Sequence, residues 1–435
     1  MSRDILFDAS RLLSRTDRSA PTGVDRVCLA YAEWLIGHPS YRMVPVRSRH
    51  DQLALVDDVW FRDRVSELRE RWTGPASNRP LRPEERRLFD ALRSDAPRSS
   101  IIGEAPDPEA PARKKPRVWK QYFRARRVEA PPPARAYFNV GHTSLNTPDI
   151  LSCLNARNID RVVMLHDLIP ITHPEFCRPG DGAKHRKRVL TALRHASRIV
   201  VNSHYTGHEL ALFADREGMA PPPIEVAHLG LEATFAQAEP IASTRPYFVH
   251  VGTIEARKNL AFLLTIWRRL HERMGPDAPS LVLIGRYGWE NEAVLDHLQR
   301  SPNLQGLVHQ AENLPDTALA GLMRGARAVV APSSVEGFDL PAVEASALGV
   351  PLIASDIPAH RELVPQARLI DPLDGLGWLQ AIEAIARGRP VAPAYSPPTW
   401  ASHFDQIERR ILSNDAYASS GTGGDGPGRV SNGRN

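Results

Sequence analysis

The chain has 435 residues, of which 42% are hydrophobic and 24% are charged. This length predicts two domains of about 200 residues each, because single cores stop growing beyond about 250–300 residues. The composition is that of an ordinary soluble globular protein. No run of about 18 apolar residues occurs, so we expect no membrane-spanning helix.

The N-terminal residues and the cysteines bear on the cellular location of the protein. The opening residues, MSRDILFDASRLL, are charged by position 4 and lack an apolar core followed by a small-residue cleavage site, which argues against a secretory signal. Cys28, Cys153 and Cys177 are scattered, without C-x-x-C spacing. This argues against a disulfide framework or a zinc site, and it favours a reducing, cytoplasmic location.

The charge is unevenly distributed. Residues 1–240 carry 37 Lys and Arg against 30 Asp and Glu, whereas residues 241–435 carry 18 against 20. The basic first half indicates an anionic partner, for which nucleic acid, a phosphate-bearing lipid and a membrane surface are candidates. No nucleic-acid-binding motif or sheet with interleaved aromatics is present, so we do not expect nucleic acid to be the partner.

The first half, residues 1–240, reads as one α/β domain. The strand pattern DILFDAS is followed by a polar loop and the helical pattern VDRVCLAYAEWLI, and YRMVPV is a second strand. From about 70 to 135 the chain is rich in Pro and charge, which predicts a flexible basic insertion. The apolar runs AYFNVG, RVVML, RIVVNS and IEVAHLG then alternate with amphipathic helices, as in a parallel sheet.

The second half repeats this rhythm over residues 241–397, from the strand YFVHVG to the helix GLGWLQAIEAIARG. We therefore predict two consecutive doubly wound α/β domains, each with its own sheet. A final helix is expected over 398–413. The remaining residues, 414–435, have few apolar side chains and are rich in Gly and Ser, which predicts disorder.

Ligands bind such sheets at the carboxyl ends of the strands. The loop GTIEARKNL places Gly252 and Thr253 at a strand end, and Arg257 and Lys258 just before a helix. A glycine turn and two cations at a helix N-terminus suit a diphosphate. The alternative is a solvated basic helix start.

The loop SSVEGFDLPAVEA carries Glu336 before a helix and Glu344 about one turn inside it. Both carboxylates can face one crevice, and carboxylates bind the adjacent hydroxyl pairs of sugars and ribose. The alternative is that Glu344 favours the helix dipole and Glu336 is a surface residue.

Two further loops come from the first half. HDLIP places His166 at a strand end, where it is either a substrate contact or a buried, hydrogen-bonded histidine. PTGVDRV places Gly23 at the start of a helix, where the glycine serves either a turn or a close approach to phosphate.

In order and spacing, HVGTIEARKNL, LVLIGRYG and AVVAPSSVEGFDLPAVEASALG resemble the nucleotide-sugar-binding domain of retaining glycosyltransferases of family 4, which have the GT-B fold. The resemblance covers about residues 247–386 and includes the E-x7-E pair Glu336–Glu344. PTGVDRV, HDLIP and VNS match more loosely. HDLIPITHPEF is similar to bacterial mannosyltransferases of polysaccharide and O-antigen assembly.

The resemblance implies two facing Rossmann-like domains with the active site in the cleft between them, the final helix crossing back to the first domain. It implies a nucleotide-diphosphate sugar as donor, a glycan or polyprenyl-linked glycan as acceptor, and no cofactor. No D-x-D motif lies in a suitable loop, so we expect metal independence. A nucleotide-sugar epimerase and a non-catalytic nucleotide-sugar-binding scaffold are the alternatives.

The resemblance also assigns roles to individual residues. Glu344 would bind the ribose hydroxyls, Glu336 and His166 would meet the donor sugar, and Arg257 and Lys258 would neutralise the departing diphosphate. Gly23 would frame the diphosphate or the acceptor side. The other donor-binding positions that it implies are Gly252, Thr253, Gly337, Phe338 and Leu340.

A last pattern is the stretch RKKPRVWKQYFRARR, residues 113–127, in which eight basic residues surround Trp119, Tyr122 and Phe123. Basic residues attract anionic lipid and aromatic residues suit the membrane interface. The pattern indicates peripheral attachment to the inner face of the plasma membrane. The alternative is a solvated insertion with incidental charge.

Overall fold

The structure is a computed structural model. It describes residues 3–18, 20–49, 52–72, 80–94, 100–103, 125–128, 130–231 and 238–412. The basic stretch up to residue 124 and the tail 414–435 lie outside the described residues, so the predictions of a membrane-binding segment and of a disordered tail remain predictions.

The described strands of the first domain form one sheet. They are β1 (Asp4–Asp8), β2 (Arg42–Arg49), β3 (Gln52–Val56), β4 (Ala125–Arg127), β5 (Ala136–Asn139), β6 (Asp160–Leu165), β7 (Arg198–Val201) and β8 (Ile224–Val226). Their order is β4-β3-β2-β1-β5-β6-β7-β8, with parallel pairing from β2 to β8 and antiparallel pairing at β3 and β4. Ile5, Leu6 and Phe7 of the central strand are fully buried, as expected for a parallel strand covered on both faces.

Helices connect these strands. They are α1 (Ser10–Leu13), α2 (Gly23–Ile36), α3 (Asp58–Trp72), α4 (Pro83–Arg93), α5 (Asp149–Asn155), α6 (Ile169–Thr172), a 3-10 helix (Pro174–Phe176), α7 (Asp181–His195) and α8 (His204–Arg216). A capping box starts α2: the Thr22 hydroxyl accepts from the Asp25 N–H, and the Asp25 carboxylate accepts from the Thr22 N–H. This box fixes Gly23 as the first helical residue.

The second domain is a parallel sheet in the described residues. Its strands are β9 (Tyr247–Val251), β10 (Ser280–Ile284), β11 (Val308–Ala311), β12 (Ala328–Ala331), β13 (Leu352–Ser355) and β14 (Arg368–Ile370), in the order β11-β10-β9-β12-β13-β14. The helices are α9 (Leu260–Met274), α10 (Glu292–Arg300), α11 (Asp316–Gly325), α12 (Leu340–Ala347), α13 (Pro358–Leu363) and α14 (Gly375–Arg387), with 3-10 helices at Ala256–Lys258, Gly275–Asp277 and Pro302–Leu304. The predicted pair of doubly wound domains is confirmed.

Part of the predicted insertion 70–135 is regular and packs on the second domain. Helix α4 lies against the edge strand β11, and the Arg82 guanidinium donates to the Glu312 carbonyl at 3.0 Å. The Gln310 N–H donates to the Ile101 carbonyl at 2.7 Å. Residues 100–103 thereby cover part of the sheet edge, whose N–H groups would otherwise lack strand partners.

The last described helix, α15 (Trp400–Ile407), continues as a short π-helix (Glu408–Leu412) and packs on the first domain. Phe404 stacks on Trp34 of α2 with ring centroids 4.6 Å apart. His403 is buried, its Nδ1–H donates to the His228 carbonyl, and its Nε2 accepts from the Tyr31 hydroxyl at 2.9 Å. Burial lowers the pKa of His403 to about 4, so the ring is neutral at pH 7.

No helix within the described part of the chain combines the length and the apolar character that a membrane crossing requires.

We expect Phe404→Ala to lower the free energy of unfolding by about 3 kcal/mol, because it removes a buried ring from a stacked aromatic cluster. Denaturant unfolding followed by fluorescence measures the change. The matched control is Asp405→Ala on the same helix, whose side chain is 72% exposed and should cost less than about 0.5 kcal/mol. An equal effect of both variants would contradict the packing role of Phe404.

Candidate active site

A cleft of about 680 Å³ lies between the two domains at the carboxyl ends of their strands. Its volume is within the range of small-molecule sites. The structure brings ten of the eleven site residues predicted from the sequence into its lining: Gly23, His166, Gly252, Thr253, Arg257, Lys258, Glu336, Phe338, Leu340 and Glu344. Gly337 is not part of the lining, and it contacts the first domain instead.

The floor of the cleft is built from two glycines. Gly252 follows β9 with φ of 155°, and a Cβ there would lie 3.0 Å from Lys258 Cε. A Cβ on Gly285, which follows β10, would lie 1.7 Å from the Gly252 carbonyl oxygen. Side chains are therefore excluded at these two strand ends, and the backbone there is open to close approach by a ligand.

Arg257 and Lys258 lie in the 3-10 turn between β9 and α9. Lys258 is 4% exposed, and its Nζ lies 2.6 Å from Glu336 Oε1 and 3.2 Å from Asp339 Oδ1. Arg257 pairs with Glu336 and, at 2.5 Å, with Glu255. Burial disfavours the charge of both cations, but the neighbouring carboxylates outweigh it and raise the pKa of Arg257 and of Lys258.

Both oxygens of Glu336 therefore face cations in this structure. Burial favours the neutral acid, but the charges of Arg257 and Lys258 outweigh burial and lower the pKa of Glu336. Glu336 is thus ionised at neutral pH and holds the two cations in place. The expected contact of Glu336 with a donor sugar remains a prediction.

Asp339 links Lys258 to a buried histidine. It precedes α12 with φ of 66°, and its second oxygen lies 3.0 Å from His360 Nε2. The other ring nitrogen of His360 donates to the Ser355 carbonyl at 2.8 Å. Because both ring nitrogens face acceptors, the imidazolium form is favoured. Burial opposes that charge, but Asp339 raises the pKa of His360.

His166 reaches the cleft from the carboxyl end of β6. Its Nε2–H donates to the Val140 carbonyl at 2.9 Å, and burial lowers its pKa to about 4. The ring is therefore neutral at pH 7, which leaves Nδ1 as a hydrogen-bond acceptor. Both readings of the sequence apply here: His166 is buried and hydrogen-bonded, and it lines the cleft.

The loop that carries Glu336 is held by the first domain. The Ser203 hydroxyl donates to the Gly337 carbonyl at 2.7 Å, and a Cβ on Gly337 would lie 2.5 Å from the His166 carbonyl oxygen. A second link joins Arg26 of α2 to Asp316 of α11, with N–O distances of 2.9 and 3.2 Å. These contacts hold the two walls of the cleft together.

One group of described residues outside the cleft lining has atoms close enough to hold a metal ion: His204, His228 and Glu362. Glu362 of α13 accepts the N–H groups of His204 and Tyr205 and lies 2.7 Å from His228 Nε2. Its carboxylate thus caps the N-terminus of α8 from the other domain. We assign these residues a structural role at the domain interface.

Sequence reasoning missed Glu255, Asp339, His360 and Arg286 at this site. Asp339 carried a signal, since an acid directly before a helix with Pro341 in its first turn is typical of a helix start. His360 had no local signal, because its partner Asp339 is 21 residues away in the chain.

Two doubly wound domains around a shared cleft form the GT-B architecture. Residues 232–375 match the family model "Glycosyl transferases group 1". Sucrose-phosphate synthase from Thermosynechococcus elongatus has a similar fold, with a TM-score of 0.50 at 18% identity over 66% of this chain and 75% of that chain. This second similarity concerns the fold alone.

Curated relatives include two Escherichia coli proteins. The chain is 29% identical to the serotype-specific mannosyltransferase WbdA over 219 residues, which are 47% of this chain and 27% of WbdA. It is 30% identical to O-antigen chain mannosyltransferase B over 224 residues, which are 49% of this chain and 58% of that protein. A D-inositol 3-phosphate glycosyltransferase from Pseudarthrobacter chlorophenolicus is 27% identical over 47% of this chain and 52% of its own length. The match thus spans from about a quarter to about three fifths of these relatives.

We expect Asp339→Asn to lower the pKa of His360, because the negative charge that favours the imidazolium is removed. The stability that a raised histidine pKa contributes is fully present below the unfolded pKa of about 6.5, and it is lost as pH rises through the folded pKa. NMR titration of the His360 ring measures the midpoint. Asp356→Asn, which changes a carboxylate paired with Arg361, is the control and should leave it unchanged. An unshifted midpoint in Asp339→Asn would contradict the pairing.

Proposed function

We propose that the protein is a retaining, metal-independent glycosyltransferase that moves a hexose from a nucleotide-diphosphate sugar to a glycan or polyprenyl-linked glycan. The observation that carries the proposal is the convergence of Arg257, Lys258, Glu336 and Glu344 of a group 1 domain on one interdomain cleft. His166 closes that cleft from the opposite domain.

Mannose is the first donor sugar to test, and assembly of a bacterial polysaccharide is the first biosynthetic process to test. Support comes from the relatives, whose names describe mannosyltransferases and an O-antigen chain. The relatives extend beyond the matched region.

The chemistry follows from where charge develops. Breaking the bond between the sugar and the diphosphate builds positive charge on the ring and negative charge on the phosphate. Arg257 and Lys258 are held by buried carboxylates before a substrate arrives, so they can stabilise the leaving group without reorganisation. We assign no covalent nucleophile.

The remaining roles concern positioning. Glu344, one turn inside α12, would bind the ribose hydroxyls, and the glycine floor at Gly252 would admit the diphosphate. His166, as a neutral ring, would accept a hydrogen bond from a sugar hydroxyl. Gly23, at the N-terminus of α2, would face the diphosphate or the acceptor.

A direct test is a thermal-shift panel of GDP-, UDP- and ADP-sugars, followed by turnover with the sugar that stabilises the chain. NMR of the product shows whether the anomeric configuration is retained, and EDTA tests the independence from metal. Inversion, or loss of activity in EDTA, would overturn those parts of the proposal. An interconverted sugar without transfer would indicate an epimerase, and binding without turnover would indicate a scaffold.

We expect Lys258→Ala to lower kcat more than it raises the KM of the donor, because the charge matters most in the transition state. The loss should be about 3 kcal/mol, or roughly two orders of magnitude in rate. The variant also leaves Glu336 and Asp339 short of a buried partner, so kinetics must be measured below its melting temperature.

The comparison variant is Glu344→Ala. A ribose contact is made equally in the ground and transition states, so the KM of the donor should rise while kcat changes little. Unchanged turnover in Lys258→Ala, or the same pattern in both variants, would contradict the assigned roles.

We also propose that residues 113–127 attach the protein to anionic membranes. The support is the sequence pattern of eight basic residues with three interleaved aromatics. Each basic residue near anionic lipid contributes roughly 1 kcal/mol. Sedimentation with phosphatidylglycerol vesicles should fall when these basic residues are neutralised, whereas neutral vesicles should bind neither form. Equal sedimentation of the neutralised variant would refute the attachment.

A further inference from the structure

Most of the cations that line the cleft already have acidic partners. Arg26 pairs with Asp316, and Arg82 pairs with Glu85. Arg257 and Lys258 together face three carboxylates, those of Glu255, Glu336 and Asp339. A diphosphate brings about two further negative charges into this cleft. The carboxylates already offset the charge of Arg257 and Lys258, so other cations are needed to balance the ligand.

Arg286 is a cation of a different kind. It follows Gly285 at the end of β10, lines the cleft and is exposed. Among the residues that the structure describes, no carboxylate lies within ion-pair distance of Arg286. Its charge is therefore not neutralised by a neighbouring side chain.

A second observation concerns the other charges near Arg286. Burial lowers the pKa of Arg18, the nearby charges of Arg15 and Arg286 lower it further, and Asp25, which pairs with Arg15, acts in the opposite direction. Arg71 also lines the cleft, and its guanidinium donates to the Thr16 carbonyl. Cations that repel one another favour an anion bound between or beside them.

Arg286 is adjacent to the part of the floor that a phosphate can approach. A side chain at Gly285 would collide with the Gly252 carbonyl, and the positive φ of Gly252 disfavours a side chain there. Lys258 lies beside Gly252, and Arg286 directly follows Gly285. The two glycines therefore separate the paired cation that follows β9 from the unpaired cation that follows β10.

We propose that Arg286 is a further donor-binding residue, which binds the diphosphate at the glycine floor. It supplies a positive charge in addition to those of Arg257 and Lys258, which the neighbouring carboxylates offset. The inference rests on the proposed function, because the anion is the diphosphate of the nucleotide. Two kinds of cation would then bind the diphosphate. Arg257 and Lys258 are fixed in position by buried acids, whereas Arg286 contributes net charge.

The test is calorimetric binding of the nucleoside diphosphate (GDP, UDP or ADP) whose sugar stabilises the wild type, together with the matching nucleoside. Arg286→Ala should weaken the nucleoside diphosphate about tenfold or more, since a hydrogen bond to a charged group is lost. The nucleoside should bind both proteins equally. Arg286→Lys should retain part of the affinity, because the charge remains without the planar fork.

The matched control is Arg300→Ala on α10, whose side chain is 77% exposed and pairs with Asp296 outside the cleft lining. It should leave affinity unchanged, and both arginine variants should melt at the wild-type temperature.

Wild-type affinity for the nucleoside diphosphate in Arg286→Ala would overturn this inference and leave the proposed function intact. An equal loss for the nucleoside would overturn it as well, because the effect would not depend on phosphate. A wild type that binds none of the three nucleoside diphosphates would remove the proposed function itself.

Discussion

The ion pair between Lys258 and Glu336, buried at the end of the second sheet, requires other charges around it. A buried charge without a partner costs several kcal/mol, so each member of the pair needs further contacts. Arg257 and Asp339 supply them, and Glu255 and His360 in turn satisfy those two. The network ties together the loops after β9, β12 and β13. Its cost in desolvation is offset only while all members keep this geometry, so the cleft floor is ordered by its own electrostatics.

The first domain completes this arrangement through backbone contacts. Gly337 has no side chain to keep His166 away, and its carbonyl accepts from Ser203 at the start of α8. Glu362 caps the same helix from the second domain. The loop between Glu336 and Asp339 is therefore shaped by charges on one side and by a neighbouring helix N-terminus on the other. A change in the approach of the domains would alter the position of Glu336.

The sequence predicted the features that local patterns encode. The alternation of apolar runs and amphipathic helices specified two doubly wound domains, and the strand ends located Arg257, Lys258, Glu336 and Glu344. Helix α3 also has a helical apolar pattern in the sequence. Its buried residues are spaced by three or four positions: Phe61, Val65, Leu68 and Trp72. The charged residues around them make this pattern harder to recognise.

Other features depend on partners far away in the chain. Residues 101 and 310 meet at the edge of β11, and residues 26 and 316 pair across the cleft. Neither contact leaves a periodic signal in one sequence. The same holds for His360, whose proton is retained by a carboxylate on another loop. Composition predicted a flexible basic insertion over residues 70–135, but it carried no information on which domain that segment would contact.

The aromatic face that receives α15 has a consequence for biosynthesis. Tyr31 and Trp34 are translated before α15, because His403 is 372 residues later than Tyr31. At roughly 5–20 residues per second, these rings wait tens of seconds for their partner helix to be translated. During that interval the Tyr31 and Trp34 rings can associate with other nonpolar surfaces, and the yield of native protein should depend on chaperones that cover them.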